Sequence, residues 1–172
     1  MIKIALLFAS LLPLINNSIY DLQISTIDGN VVNLSDFANK KILFVNTATN
    51  SQYVNQYAAL EQLQQQYQDS LVIIAFPSNS FGNEPENDTT IKDFVMNTYN
   101  VHFILAAKTS VKDSTISPLY QWLTQQSENG VLDNPVDGDF FKYLVNEEGR
   151  LIGVFDGSVD PLSDLVQSAL QN

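Results

Sequence analysis

Ile42-Leu43-Phe44-Val45 and Leu71-Val72-Ile73-Ile74-Ala75-Phe76 are short apolar runs rich in β-branched residues, and they enclose the stretch 53–67. Apolar runs of this length without polar alternation are what strands covered on both faces require. The enclosed stretch has another period. Tyr53, Tyr57, Leu60, Leu63 and Tyr67 recur at helical spacing, with glutamines on the remaining faces. That apolar stripe makes the glutamine-rich segment 62–68 a solvated helix face rather than a low-complexity tract. Strand, helix, strand is the crossover unit that joins parallel neighbours, and it places the chain in the α/β class.

Working outward, Leu22, Ile24 and Ile27 alternate with polar residues up to Asp28-Gly29-Asn30, after which Val31 and Val32 resume, the pattern of a hairpin. Downstream, 79–88 reads as a polar loop containing Gly82 and Pro85, and 90–99 as a short amphipathic helix with Ile91, Phe94 and Val95 on one side. Residues 102–106 read as a strand and 117–126 as a helix with Pro118 in its first turn. A loop at 127–139 precedes two strands, 140–146 and 151–155, around Glu147-Glu148-Gly149-Arg150. The last helix is expected at 160–170, with Asp160 as its N-cap. The order predicts a thioredoxin-like mixed central sheet flanked by helices on both faces, opened by an N-terminal β-hairpin, in one domain at 19–172.

Composition removes several function classes. A net charge of −11 and a pI near 4.1 repel phosphate backbones and anionic lipid headgroups, so neither nucleic-acid binding nor electrostatic docking on membranes is expected. The chain holds no cysteine, which excludes a disulfide framework, a thiolate metal site and thiol nucleophilic catalysis within it. Asp133, Asp137 and Asp139 share one loop, but without the ligand spacing or terminal glutamate of a calcium loop, and they read as solvated carboxylates. No cofactor and no metal are expected.

At the N-terminus Lys3 precedes a nearly unbroken apolar run, 4–15, which is short for a bilayer span. Residues 1–18 therefore read as a signal peptide, giving a secreted or periplasmic protein. An uncleaved anchor is the alternative, and no further span follows. Asn33-Leu34-Ser35 and Asn87-Asp88-Thr89 are glycosylation sequons in a host that modifies exported proteins.

Several ordered segments carry a family resemblance. Ile19-Tyr20-Asp21-Leu22 with Asp28-Gly29 and Leu34-Ser35, Lys41 to Thr49 with Asn46-Thr47-Ala48, Gln56-Tyr57 with Leu60 and Leu63, Phe76-Pro77-Ser78-Asn79-Ser80-Phe81-Gly82 with Glu84-Pro85, Ser117-Pro118-Leu119-Tyr120-Gln121-Trp122-Leu123, and Phe140-Phe141-Lys142-Tyr143-Leu144-Val145 with Glu148-Gly149 resemble glutathione peroxidases. The resemblance implies a thioredoxin-like fold and reduction of hydroperoxides by a cysteine or selenocysteine, regenerated by glutathione or thioredoxin. It also places the family's functional positions. Ser51 stands for the peroxide-cleaving residue, Ser80 for the glutamine, Gly138 for the tryptophan and Asp139 for the asparagine. The resolving cysteines of the thioredoxin-dependent branch fall at Ser78 and near Met96.

Every one of these positions is substituted. A serine hydroxyl has no counterpart of the sulfenic state through which a thiolate passes, so peroxidase turnover is not expected. Serine hydrolysis would need a histidine base, and the sole histidine, His102, reads as a structural residue at a strand start. Ser51 itself reads as an inert N-cap of the helix 53–67. The sequence thus predicts a catalytically inactive scaffold for a small-molecule or protein ligand that it does not name. Its alternative is a hydroperoxide-reducing peroxidase of the oxidative-stress response, as the family implies.

Overall fold

The computed structural model describes residues 18–171, so the reading of 1–18 as a signal peptide lies outside the described residues except for Ser18. Strands β1 (Gln23–Ser25) and β2 (Val31–Asn33) form the expected hairpin, closed through Gly29 at φ 80°. Bonds from Ile27 N to Leu105 O and from Ala107 N to Ser25 O fasten the hairpin beside the main sheet.

The main sheet has five strands, β3 (Lys41–Thr47), β4 (Leu71–Pro77), β5 (Ile104–Leu105), β6 (Lys142–Val145) and β7 (Leu151–Phe155), in the order β5-β4-β3-β6-β7. β3 pairs parallel with β4 and antiparallel with β6, so the sheet is mixed, as the sequence predicts. Every residue of β3 is buried. The period of 2 sends Ile42 and Phe44 into one core and Leu43 and Val45 into the other. Helix α3 (Pro118–Thr124) packs on the first face through Leu119, Tyr120 and Leu123. Helices α1 (Gln56–Gln66), α2 (Asp88–Tyr99) and α5 (Asp164–Gln171) cover the second, through Tyr57, Leu60, Ile91, Val95 and Val166.

Element ends depart from the sequence reading for local reasons. α1 begins at Gln56, because Ser51 and Tyr53 organise a separate turn ahead of it. Asp160 likewise caps a turn, accepting from Leu162 N at 2.7 Å, and α5 starts only at Asp164. The span 117–126 is broken at Gln125, which is extended at φ −117°, leaving α4 (Gln126–Asn129) as a separate turn. The strand expected at 102–106 narrows to two residues, and His102 lies outside it.

Phe44 is fully buried at the centre of the sheet, its ring centroid 6.3 Å from that of Phe76. Phe44→Ala is expected to cost about 3–5 kcal/mol, measured as a fall in the urea midpoint at unchanged slope. A loss below about 1 kcal/mol would show that the sheet centre repacks.

Candidate active-site cavity

Three segments meet at the C-terminal end of β3, and buried Asn46 joins one of them to it. Its backbone carbonyl accepts from Phe140 N at 2.6 Å, its Oδ1 accepts from Phe141 N at 3.1 Å, and its Nδ2 donates to Gly138 O at 2.9 Å. The loop before β6 is therefore held to the central strand by Asn46, through both its backbone and its side chain. Gly138, at φ 147°, and Phe140, at φ 59°, turn the chain there, and the Phe140 ring meets Tyr57 edge-on at 5.3 Å.

Beyond β3 the chain turns through Ser51. Its Oγ accepts from Tyr53 N at 3.2 Å and its carbonyl from Val54 N at 3.1 Å, so Ser51 caps this turn and is not the helix N-cap. Asn55 holds the N-cap position and makes no side-chain cap bond. The loop after β4 is tied to the same turn by buried Glu84, which accepts from Thr49 N at 2.7 Å and Thr49 Oγ1 at 2.8 Å. Burial raises the Glu84 pKa, and the bonds from Thr49 oppose that rise.

Between the loops lies a cavity of about 510 Å³ whose lining includes Ser51, Tyr53, Phe81, Asn83, Asp137 and Asp139. Asn83 Nδ2 donates to Asp139 Oδ2 at 2.6 Å, while Asp139 Oδ1 is buried without a hydrogen-bond partner. Asp156 and Gly157, just after β7, complete the wall. Gln56 Nε2 on α1 donates to Gly157 O at 2.7 Å, and a Cβ at Gly157 would collide with the carbonyl of Asp139. Only glycine lets these two loops approach so closely.

Of the positions singled out from sequence, Ser51, Gly138 and Asp139 come together in this cavity. Ser80 does not join them. Its Oγ accepts from Ser78 Oγ at 3.0 Å and from Val111 N at 3.2 Å, and the residue lines a different depression with Lys108 and Ser110. Ser78 is fully buried, whereas Met96 is 39% exposed on α2. His102 is on the surface, its Nδ1 2.9 Å from Glu61 Oε1, and it is not among the residues lining the Ser51 cavity. Asp133 caps α4 by accepting from Gln126 N at 2.7 Å, apart from Asp137 and Asp139. Sequence reasoning missed Asn83, Phe81, Asp156 and Gly157. Phe81 stood inside a resemblance motif without a role, Asn83 fell between the two parts of that motif, and Asp156-Gly157 carried no signal beyond a strand end.

The mixed sheet with α1 following the central strand is the thioredoxin-like class. A thioredoxin family protein from Chlorobium tepidum superposes with a TM-score of 0.61 at 16% identity, which speaks to the fold alone. The glutathione peroxidase family profile matches residues 19–124. A glutathione peroxidase-like peroxiredoxin of Schizosaccharomyces pombe is 36% identical over 155 residues, covering 88% of this chain and 98% of the relative. A glutathione peroxidase of Lactococcus lactis is 32% identical over 144 residues, covering 83% and 91%. The crystal structure of Trgpx in its apo form superposes with a TM-score of 0.68 at 26% identity, over 91% of this chain and 97% of that one. The chain belongs to the glutathione peroxidase family.

Just after this loop, at the start of β6, Lys142 is fully buried with Nζ donating to Phe140 O at 2.7 Å. Burial lowers its pKa to about 8, and Asp156 and Asp160 pull the other way. Above that pH the folded protein sheds a proton that the unfolded chain keeps up to its ordinary value near 10.5, so stability rises with pH across the interval. Tyrosines buried in the core reverse the trend once free tyrosine ionises, near 10. Between pH 8 and 10, denaturant unfolding should show stability climbing by up to about 1 kcal/mol per pH unit. Lys142→Met should lack that climb, and equal slopes in the two proteins would contradict the assignment.

Proposed function

We propose that this chain is an exported member of the family that has given up peroxide reduction and uses the cavity at Ser51 for binding. The observation that carries the reading is the absence of cysteine from the chain, with Ser51, which resemblance matches to the family's peroxide-cleaving position, only 5% exposed. In thiol chemistry the sulfur attacks one peroxide oxygen, the O–O bond breaks, an alcohol leaves, and the sulfur is oxidised to a sulfenic acid that a second thiol reduces. A serine oxygen making the same attack would only exchange one O–O bond for another, so nothing is reduced. The surroundings agree with that reading. Ser80 is held away from Ser51, and Gly138 lies in a backbone region that disfavours a tryptophan.

Similarity to a glutathione peroxidase-like peroxiredoxin and to a glutathione peroxidase favours a second reading, in which the chain still handles hydroperoxides with glutathione or thioredoxin supplying the thiols. One assay separates the two. Given hydrogen peroxide or a lipid hydroperoxide with either thiol donor, the protein should show the protein-free rate, and Ser51→Ala should not change it. Ser51→Cys should consume peroxide with turnover about 10²-fold or more below a complete site, because the supporting donors are missing. Turnover by the unaltered protein that disappears in Ser51→Ala would establish the second reading.

Export is supported by Lys3 and the apolar run that follows it. Expressed as the full chain in a secreting host, the protein should appear outside the cytoplasm with a new N-terminus near residue 19 by intact mass. A full-length product in the membrane fraction would mean an uncleaved anchor, and one in the cytosol would overturn export.

A further inference from the structure

We propose that Asn33 and Asn87 are acceptors of N-linked oligosaccharide, so that the exported chain carries sugar at two places outside the Ser51 cavity. The inference rests on the export reading, because the sugar is added along the secretory route. Between residues 18 and 172 the pattern Asn-x-Ser/Thr occurs at Asn33-Leu34-Ser35 and at Asn87-Asp88-Thr89 and nowhere else. Such a tripeptide arises often by chance, and a fold can hide it. Here Asn33, Ser35, Asn87 and Thr89 are all exposed. Neither asparagine is among the residues lining the Ser51 cavity, so sugar at these positions leaves its wall intact.

Asn33 ends β2 and takes the N-cap position of the turn at Leu34–Phe37, where its side chain makes no cap bond. Its amide is free to react. In the hairpin Ile24 and Val32 face the core, while Gln23, Ser25, Val31 and Asn33 alternate with them on the outer face. Val31, 63% exposed, is the neighbour of Asn33 on that face, and a glycan there would lie over it. At Asn87 only the oxygen is engaged. Oδ1 accepts from Thr90 N at 3.0 Å and from Thr90 Oγ1 at 3.3 Å, which caps α2. Sugar is carried by Nδ2, so the cap survives the modification. Asn87 and Thr89 also line an open depression of about 780 Å³ with Pro85 and Lys108, which leaves room for the first sugar rings. In the transfer, Nδ2 bonds to the anomeric carbon of an oligosaccharide linked to a lipid diphosphate. The carbon's bond to the diphosphate oxygen breaks, the lipid diphosphate leaves with the electron pair, and the amide nitrogen gives up one proton.

Expressed as the full chain in a secreting eukaryotic host, the protein is expected in the medium at a mass above that of its polypeptide. Treatment with peptide-N-glycosidase should return it to the polypeptide mass. That enzyme leaves an aspartate wherever a glycan stood, and peptide mass spectrometry should find one at position 33 and one at position 87. Ser35→Ala and Thr89→Ala should each remove one increment of mass. Thr89→Ser, which keeps the pattern, should retain its increment, a result that a merely structural role for Thr89 does not predict. The double variant Ser35→Ala with Thr89→Ala should be secreted bare. An unaltered chain secreted at the bare polypeptide mass, or sugar that persists in the double variant, would overturn the proposal while export stands. Sugar at one asparagine alone would overturn the assignment of the other. A sugar-free chain retained in the cytosol would overturn export and the proposal together.

Discussion

Asn46 is the residue on which the site depends. Set at the buried end of the central strand, it uses its backbone carbonyl and both ends of its side-chain amide to hold the loop that carries Gly138, Phe140 and Phe141. These three bonds and a fourth, from Asn46 N to Phe141 O at 3.3 Å, leave that loop little freedom, because each broken bond would strand a buried polar group. The position of Asp139, and with it the floor of the cavity, follows from this attachment.

Around that anchor, each loop is fixed by a different contact. Glu84 binds the loop after β4 to Thr49, Gln56 binds the end of β7 to α1, and Gly157 lets the β7 loop lie against Asp139. These contacts hold the loops around the cavity of a chain that has no cysteine. What remains at the centre is a hydroxyl, an amide and a set of carboxylates. Such a set offers charge and hydrogen bonds, and it contains no thiol.

The scaffold was legible in the sequence wherever burial dictates a pattern. β3 and β4 announced themselves as unbroken apolar runs, α1 by its stripe at helical spacing, and the first hairpin by Asp28-Gly29. Helix starts were less legible, since Ser51 and Asp160 are good caps and in fact cap turns one step upstream. The site was half legible. Ser51 and Asp139 could be placed by resemblance, but resemblance also put Ser80 beside them. Its side chain instead finds Ser78 and Val111. The Asn83 to Asp139 contact joins residues far apart in the chain, and no local pattern encodes it.

We propose that the cavity at Ser51, lined by carboxylates in a chain without cysteine, no longer takes the family's thiol. It is tested most directly by following backbone amide resonances of the isotope-labelled protein as reduced glutathione is added. The amides of Ser51, Asn83, Gly138 and Gly157 are expected to stay in place throughout the titration. Saturable shifts confined to those amides would show that glutathione is still a ligand of this cavity and would contradict the claim.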